Sequence, residues 1–274
     1  MKVSIITVTY NSDKYLANCI DSVRNQRYPN IEYIVIDGAS TDRTVSIITD
    51  AGAVIDKWVT EKDNGMYDAI NKGMRLATGD VIGILNSDDM LASEDTIAGI
   101  VHHFKKERVD SVFGDLVYVD EEDTSCIYRY WKGATYNRKA FHFGWMPAHP
   151  TFYIRREVVE RLGGYETHFF SAADFEFMTR YLYKHNISSF YIPDLIVKMR
   201  KGGMSNCGWK RRLRANRRDY LALKRNGVPF PLMASLIKPL RKLPQFVGFF
   251  NRNKEARARE QQKSLVPAFG KMQA

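Results

Sequence analysis

The sequence predicts an α/β fold: a mostly parallel sheet with helices on both faces. Short, continuous apolar runs rich in β-branched residues alternate with helical patterns in units of about 30 residues, which is the signature of βαβ crossovers. Each early run stops in a polar cluster, at residues 9–12, 37–42 and 86–89. The chain has 274 residues, 45% hydrophobic and 26% charged, the composition of a folded soluble protein with room for a large core. Ligands of open α/β sheets bind beyond the carboxyl ends of the strands, so the three clusters are expected to converge on one edge.

The elements follow in order. Val3–Val8 reads as a buried strand, and Thr7, Thr9, Asn11 and Ser12 supply loop chemistry at its end. Asp13 is positioned to cap a helix whose apolar residues Tyr15, Leu16, Cys19, Ile20 and Val23 keep helical spacing. Tyr33–Ile36 is a second buried run, ending in DGASTD, and Val54–Val59 follows a further helical stretch. In DNGMYDAINKGMRLATGD, residues 63–80, Met66, Ile70, Met74 and Ala77 share one helical face, and Gly79 is expected to end it. Val81–Leu85 comes next and runs into Asn86-Ser87-Asp88-Asp89. Beyond residue 110, Ser111–Val119 and Ile127–Trp131 read as strands flanking an acidic turn, so the second half is expected to be more antiparallel.

Charge is unevenly spread. Residues 205–274 hold 17 Lys and Arg against 3 Asp and Glu, while the rest of the chain is mildly acidic. A boundary is expected near residue 205, between a domain over 1–204 and a basic helical extension over 205–274 that meets something anionic. Cys19, Cys126 and Cys207 are widely spaced and odd in number, which argues against a disulfide framework or a zinc site and suits a reducing cytosol. The start of the chain runs directly into a strand pattern, with no leader expected, and no apolar run reaches membrane-spanning length.

Two adjacent carboxylates at a strand end have two readings. They can cap the following helix, or they can hold a divalent cation shared with phosphate oxygens, since magnesium and manganese favour hard oxygen ligands. Neither a GxxxxGK[ST] nor a GxGxxG loop occurs, so a nucleotide here would be bound without them.

Five stretches in order resemble the family 2 glycosyltransferases with the nucleotide-sugar-binding GT-A fold, over residues 1–204: VSIITVTYNSDKYL, VIDGASTDRT, TGDVIGILNSDDML, HPTFYIRREVVERLGGYE and SAADFEFMTR. DNGMYDAINKG strengthens the likeness. The resemblance implies an inverting, metal-dependent transferase acting on a nucleotide-sugar, with UDP-sugar as the expected donor and Mn²⁺ or Mg²⁺ as cofactor. It implies that Thr9 and Tyr10 surround the nucleoside and that Asp37 contacts base and ribose, although the family's second Asp is Gly38 here. Asp63 lies in a stretch that approaches the nucleotide. Asp88 matches the metal-ligating carboxylate of the DxD motif, Asn86 stands where its first carboxylate would be, and Asp89 is the neighbouring acid. Asp174 matches the general base, with Ala173 where a second acid is common. The other reading of Asp174 is an acid that simply opens a helix. His149 is read as lining the acceptor pocket. Lys198–Ser205 resembles a loop folding over the diphosphate, with Arg200 or Lys201 meeting phosphate oxygens and the Gly-Gly pair as a hinge; the other reading is a solvated basic loop.

The extension interleaves basic and apolar residues, as a segment at a lipid interface does, while prolines 229, 231, 239 and 244 break any single helix. The alternative is an arm packed on the catalytic domain. The last residues are expected to be partly disordered. The expected function is therefore transfer of a sugar to a glycan or lipid-linked hydroxyl in surface polysaccharide synthesis, at the inner face of a membrane, with no specific nucleic-acid partner. Its rivals are a sugar-nucleotide-processing enzyme and a catalytically inactive binding module that uses the basic tail.

Overall fold

The structure, a computed structural model, describes residues 1–201 and 209–242. The Gly-Gly hinge, Cys207 and the end of the basic extension lie outside the described residues. Nine strands form one sheet. The first half supplies β1 (Val3–Thr9), β2 (Ile31–Asp37), β3 (Lys57–Thr60) and β4 (Val81–Ile84), and the two-residue β5 (Met90–Leu91) follows. The second half adds β6 (Ser111–Val119), β7 (Ile127–Trp131), β8 (Tyr153–Arg155) and β9 (Ser189–Arg200). The order is β3-β2-β1-β4-β8-β6-β9-β5, with β7 hairpinned onto β6. β1 to β4 pair in parallel, and so do β6 and β9. The β4–β8, β6–β8, β6–β7 and β5–β9 pairings are antiparallel. The parallel half thus carries the nucleotide-side loops, and every antiparallel pairing involves a strand of the second half, as its changed sequence pattern predicts.

All seven residues of β1 are buried, because both faces of the sheet are covered. On one face Val3, Ile5, Tyr33 and Val35 meet α1 (Leu16–Arg24), α2 (Thr44–Asp50) and α4 (Thr96–Glu107) through Leu16, Ile20, Ile48, Ile100 and Phe104. On the other, Ile6, Val8, Ile34 and Ile36 meet α3 (Met66–Leu76), α5 (Arg156–Leu162) and α6 (Ala173–Met178) through Ile70, Met74, Val158 and Phe177. Gly83 of β4 is required by packing: the Tyr153 ring of β8 crosses it so closely that a Cβ there would lie 2.0 Å from Cε1.

Two local expectations fail. Asp13 does not cap α1, whose first turn instead hangs on the Ser12 carbonyl, accepting from Tyr15 and Leu16. Asp13 is drawn to the neighbouring loop, where its amide donates to Asp42 and its carboxylate accepts from Arg43. Gly79 does not end α3 either. The helix stops at Leu76 with Ala77 extended, and Gly79 serves as a close contact with the backbone of Ser4.

The described part of the basic extension forms α7 (Trp209–Arg225) and α8 (Pro231–Ile237). It has no core of its own. Ala222, Leu223, Val228 and Ala234 are buried in the same cluster as α3 and α6, so the compositional break at residue 205 is not a break in packing.

Candidate active site

The carboxyl ends of β1, β2, β3 and β4 share one edge, and side chains lace their loops together. Asn11, at φ 48°, turns its amide group onto the β2 loop: its Oδ1 accepts from the Thr41 amide at 2.9 Å, and its own N–H donates to Ser40 Oγ at 2.8 Å. Ser12 N–H donates to Thr44 Oγ1, and Ser87 Oγ meets Ser12 Oγ at 3.0 Å, which ties the β4 loop to the β1 loop. Asp37 is fully buried. It accepts from the Ser40 amide at 3.0 Å, from Thr60 Oγ1 at 2.7 Å and from Ser40 Oγ, and so sets the shape of the loop from within.

Thr9 is buried with an unpartnered Oγ1, while Tyr10 beside it is 64% exposed. Gly38 leaves room for an acid from another loop. A Cβ there would lie 2.9 Å from Asp63 Oδ2 and 3.4 Å from the Tyr10 ring. Asp63 is held by Lys72 at 2.5 Å, and Lys72 also reaches Glu61 at 2.8 Å. A carboxylate thus stands at this corner, delivered from the β3–α3 loop.

The Asn86–Asp89 turn closes on itself: Asn86 Nδ2 donates to Asp89 Oδ2 at 2.7 Å, and the Asp89 amide returns to the Asn86 carbonyl. Asp89 is fully buried and Asp88 half-buried. Burial pushes both carboxyls above their ordinary range, and the neighbouring Asp88 charge pushes Asp89 further. Asn86 Oδ1 and Asp89 Oδ1 are buried oxygens with no hydrogen-bond partner. Among the described residues no group of three or more His, Cys, Asp or Glu is arranged to hold a metal ion. The turn therefore offers a partial set of hard oxygen donors, suited to a cation that completes its shell with a bound phosphate.

Arg200, at the end of β9, is buried against this turn. Its Nη1 donates to the Asp88 carbonyl at 3.0 Å, its Nε donates to the Glu121 carbonyl at 3.1 Å, and its guanidinium stacks over Tyr15 at 4.6 Å. In this arrangement it braces the Asp88 backbone.

Asp174 opens α6, half-buried, with Oδ1 accepting from the Phe175 amide at 2.7 Å. Near it stands the half-buried Tyr67, whose hydroxyl is pushed well above the usual tyrosine range by desolvation and then by the Asp174 charge. Tyr67 packs 5.3 Å from the Tyr165 ring, and Tyr165 shares a 2.6 Å hydrogen bond with His149 Nε2. Burial lowers the His149 pKa, against the pull of Asp174, so the imidazole is neutral at pH 7. The aromatic chain Tyr67–Tyr165–His149 thereby joins the α3 start, on the donor side, to Asp174. Asn71 fixes the same junction, since its Nδ2 donates to the Tyr165 carbonyl and its Oδ1 accepts from the Tyr165 amide, both at 2.8 Å. Sequence reasoning missed Lys72, Asn71 and Tyr165. The only signal for them was their place within two resembling stretches.

The profile of the family described as Glycosyl transferase family 2 matches residues 4–163. An uncharacterized glycosyltransferase of Mycobacterium tuberculosis is 33% identical over 184 residues, covering 65% of this chain and 68% of that protein. A Mycobacterium bovis PGL/p-HBAD biosynthesis glycosyltransferase is 29% identical over 208 residues, covering 74% and 78%. Among solved structures, S. aureus TarS in complex with UDP-GlcNAc superposes with a TM-score of 0.65 at 18% identity, over 91% of this chain and 73% of that one. Mannosyltransferase PcManGT from Pyrobaculum calidifontis, in complex with GDP-Man and Mn²⁺, gives 0.62 at 20% identity, over 98% and 81%. These two likenesses bear out the GT-A fold. The profile match takes in the loops after β1, β2 and β4 together with His149, and with it the chain belongs to glycosyltransferase family 2 and is a glycosyltransferase.

Proposed function

We propose that this enzyme moves a sugar from a UDP-sugar to a hydroxyl of a glycan or lipid-linked acceptor, with inversion, in the synthesis of a surface glycan. The carrying observation is the Asn86–Asp89 turn: a half-buried Asp88 with two orphaned buried oxygens, at the edge where the β1 and β2 loops meet. Asp88, with Asn86 and Asp89 beside it, would hold Mn²⁺ or Mg²⁺, which supplies charge neutralisation for a departing diphosphate. Thr9, Tyr10, Asp37 and Asp63 shape the nucleoside side. Arg200 holds the Asp88 backbone and would add positive charge beside a diphosphate seated there. Asp174 takes the proton of the acceptor hydroxyl as it attacks, and neutral His149 lines that side through Tyr165. The M. bovis relative named for PGL/p-HBAD biosynthesis supports glycan assembly as the setting; TarS holds UDP-GlcNAc and PcManGT holds GDP-Man, which supports a nucleotide-sugar as the donor class, and uridine rests on the sequence resemblance.

Thermal unfolding of wild type and Asp88→Ala in UDP, GDP, CMP and dTDP, each with and without Mn²⁺, tests the donor site. A ligand at a hundredfold its Kd adds about 2.7 kcal/mol, which raises Tm by roughly 5–10 °C for a chain of this size. UDP with Mn²⁺ should give that rise in wild type, and Asp88→Ala should lose it. A larger shift with GDP would move the donor class, and no shift with any nucleotide would remove the donor-site reading.

The acceptor side carries a second feature. Phe230, Leu232, Leu236 and Leu240 around α8 are each more than half exposed. The neighbouring helix α7 exposes Arg217, Lys224 and Arg225, and Arg241 is exposed just after α8. No helix among the described residues is long and apolar enough to cross a membrane. An apolar ridge flanked by cations suits the interface of an anionic bilayer, apolar side chains dipping in and basic ones meeting head groups. Wild type should sediment with phosphatidylglycerol-containing vesicles far more than with pure phosphatidylcholine, and Leu232→Glu/Leu236→Glu should stay in the supernatant. Equal sedimentation of the two proteins, or none by wild type, would assign the ridge to another occupant such as residues 243–274.

A further inference from the structure

The segment that leads into Asp174 contains a residue whose conformation the fold alone does not explain. Phe170 has φ 49° and ψ −121°, the geometry of the first central position of a type II′ turn, where glycine is the natural occupant. A bulky side chain there is a genuine outlier. Burial does not compensate for it: the adjacent Phe169 is 5% exposed and fills the core, whereas Phe170 is 60% exposed. The ring's packing partner is the Arg218 guanidinium of α7, 4.4 Å from its centroid. A cation over an exposed ring is a weak contact.

The strained residue is nevertheless held firmly. Arg218 Nη1 donates to Ser171 Oγ at 3.3 Å, and Arg225 pairs with Glu166 at 2.7 Å. Beyond Asp174, Asn226 Nδ2 donates to Glu176 at 3.2 Å, and Lys238 lies 3.6 Å over the Phe175 ring. The basic extension thus grips residues 166–176 at both ends and keeps an exposed aromatic ring four residues ahead of the candidate base. Strained, exposed side chains held by their surroundings are characteristic of functional sites.

We propose that Phe170, braced by Arg218, is an acceptor-binding residue whose open ring surface stacks against a pyranose ring of the acceptor. The assignment rests on the reading of Asp174 as the base, because whatever holds the acceptor must present its hydroxyl to that carboxylate. The C–H bonds on one face of a pyranose are complementary to the negative face of an aromatic ring, and the half-exposed Arg218 offers donors to the hydroxyls at its edge.

Saturation-transfer NMR with a panel of methyl α- and β-pyranosides, on protein held with UDP and Mn²⁺, tests this on wild type, Phe170→Gly and Phe170→Tyr. At least one glycoside should receive saturation from wild type. Its signal should fall about threefold or more in Phe170→Gly, as expected when a few tens of Å² of apolar contact are lost, and persist in Phe170→Tyr. Phe170→Gly should also melt about 2–6 °C higher, because glycine relieves the backbone strain. Equal signals in wild type and Phe170→Gly, no signal from any glycoside, or a Tm that stays level or falls in Phe170→Gly would each overturn the proposal. The UDP-dependent Tm shift of Phe170→Gly reports the donor site separately, and the activity of Asp174→Asn reports the base, so failure of the acceptor assignment is distinguishable from failure of either.

Discussion

Asp174→Asn is expected to lower kcat by about 10²–10⁴-fold, the range for removing a positioned general base, with donor affinity unchanged. Asn keeps the shape and the Oδ1 acceptor that receives the Phe175 amide at 2.7 Å, so α6 should start as before and Tm should move by no more than about 2 °C. What Asn lacks is a carboxylate oxygen able to take a proton. The two readings of Asp174 separate here. If it only opens a helix, the substitution costs a few tenths of a kcal/mol and leaves turnover intact. If it is the base, turnover collapses while the UDP-dependent thermal shift survives, because the donor loops at Asp37 and Asp88 do not depend on this side chain. Steady-state nucleotide release, measured beside the thermal shift on one preparation, decides between them. A kcat within threefold of wild type would end the base assignment.

Much of the donor half was legible because its physics is local. Runs such as SIITV and YIVI are mostly apolar and buried throughout because both sheet faces are covered, so length and β-branching identify them as strands. Once those strands are parallel, their polar ends must share an edge, and the structure links Ser87 to Ser12 and Asn11 to Thr41 as that argument requires. What was not legible depends on partners distant in sequence. Asp13 looked like a cap because caps are read from neighbours only, yet Arg43 and Asp42 draw it away. The pairing of Lys72 with Asp63 needs the β3–α3 loop folded back on its own helix. Tyr67 lies within DNGMYDAINKG, and its place near Asp174 appears only once the start of α3 is folded toward the start of α6. For the basic extension, composition left open whether it packs on the domain, and the buried Ala222 and Leu223 of α7 join its described part to the domain core.

Arg180 shows how a motif can be shared between two distant stretches, and its loss should have the largest effect on stability. Arg180→Ala is expected to destabilise the fold by about 3–5 kcal/mol, the range for breaking a buried ion pair from one side, lowering Tm by roughly 6–20 °C. Arg180 is 7% exposed, and its Nε lies 3.1 Å and 3.3 Å from the two oxygens of Glu176, which is fully buried. Its remaining donors hold the turn after α5: Nη2 reaches the Gly164 carbonyl at 2.5 Å, and Nη1 reaches the Leu162 and Gly163 carbonyls. The Tyr181 hydroxyl donates to Gly163 as well. RLGGYE and DFEFMTR are therefore two halves of one joint, the first carrying Tyr165 and the second Asp174. Alanine strands the Glu176 charge with Asn226 as its remaining donor among these contacts and frees the Leu162 and Gly164 carbonyls, Gly163 keeping the Tyr181 hydroxyl, whereas Arg180→Met/Glu176→Gln removes both charges and should recover much of the lost stability. Denaturant unfolding of both variants checks this. A single variant within about 1 kcal/mol of wild type would mean that solvent or another cation reaches Glu176, because a fully buried carboxylate left without its partner cannot be neutral in cost.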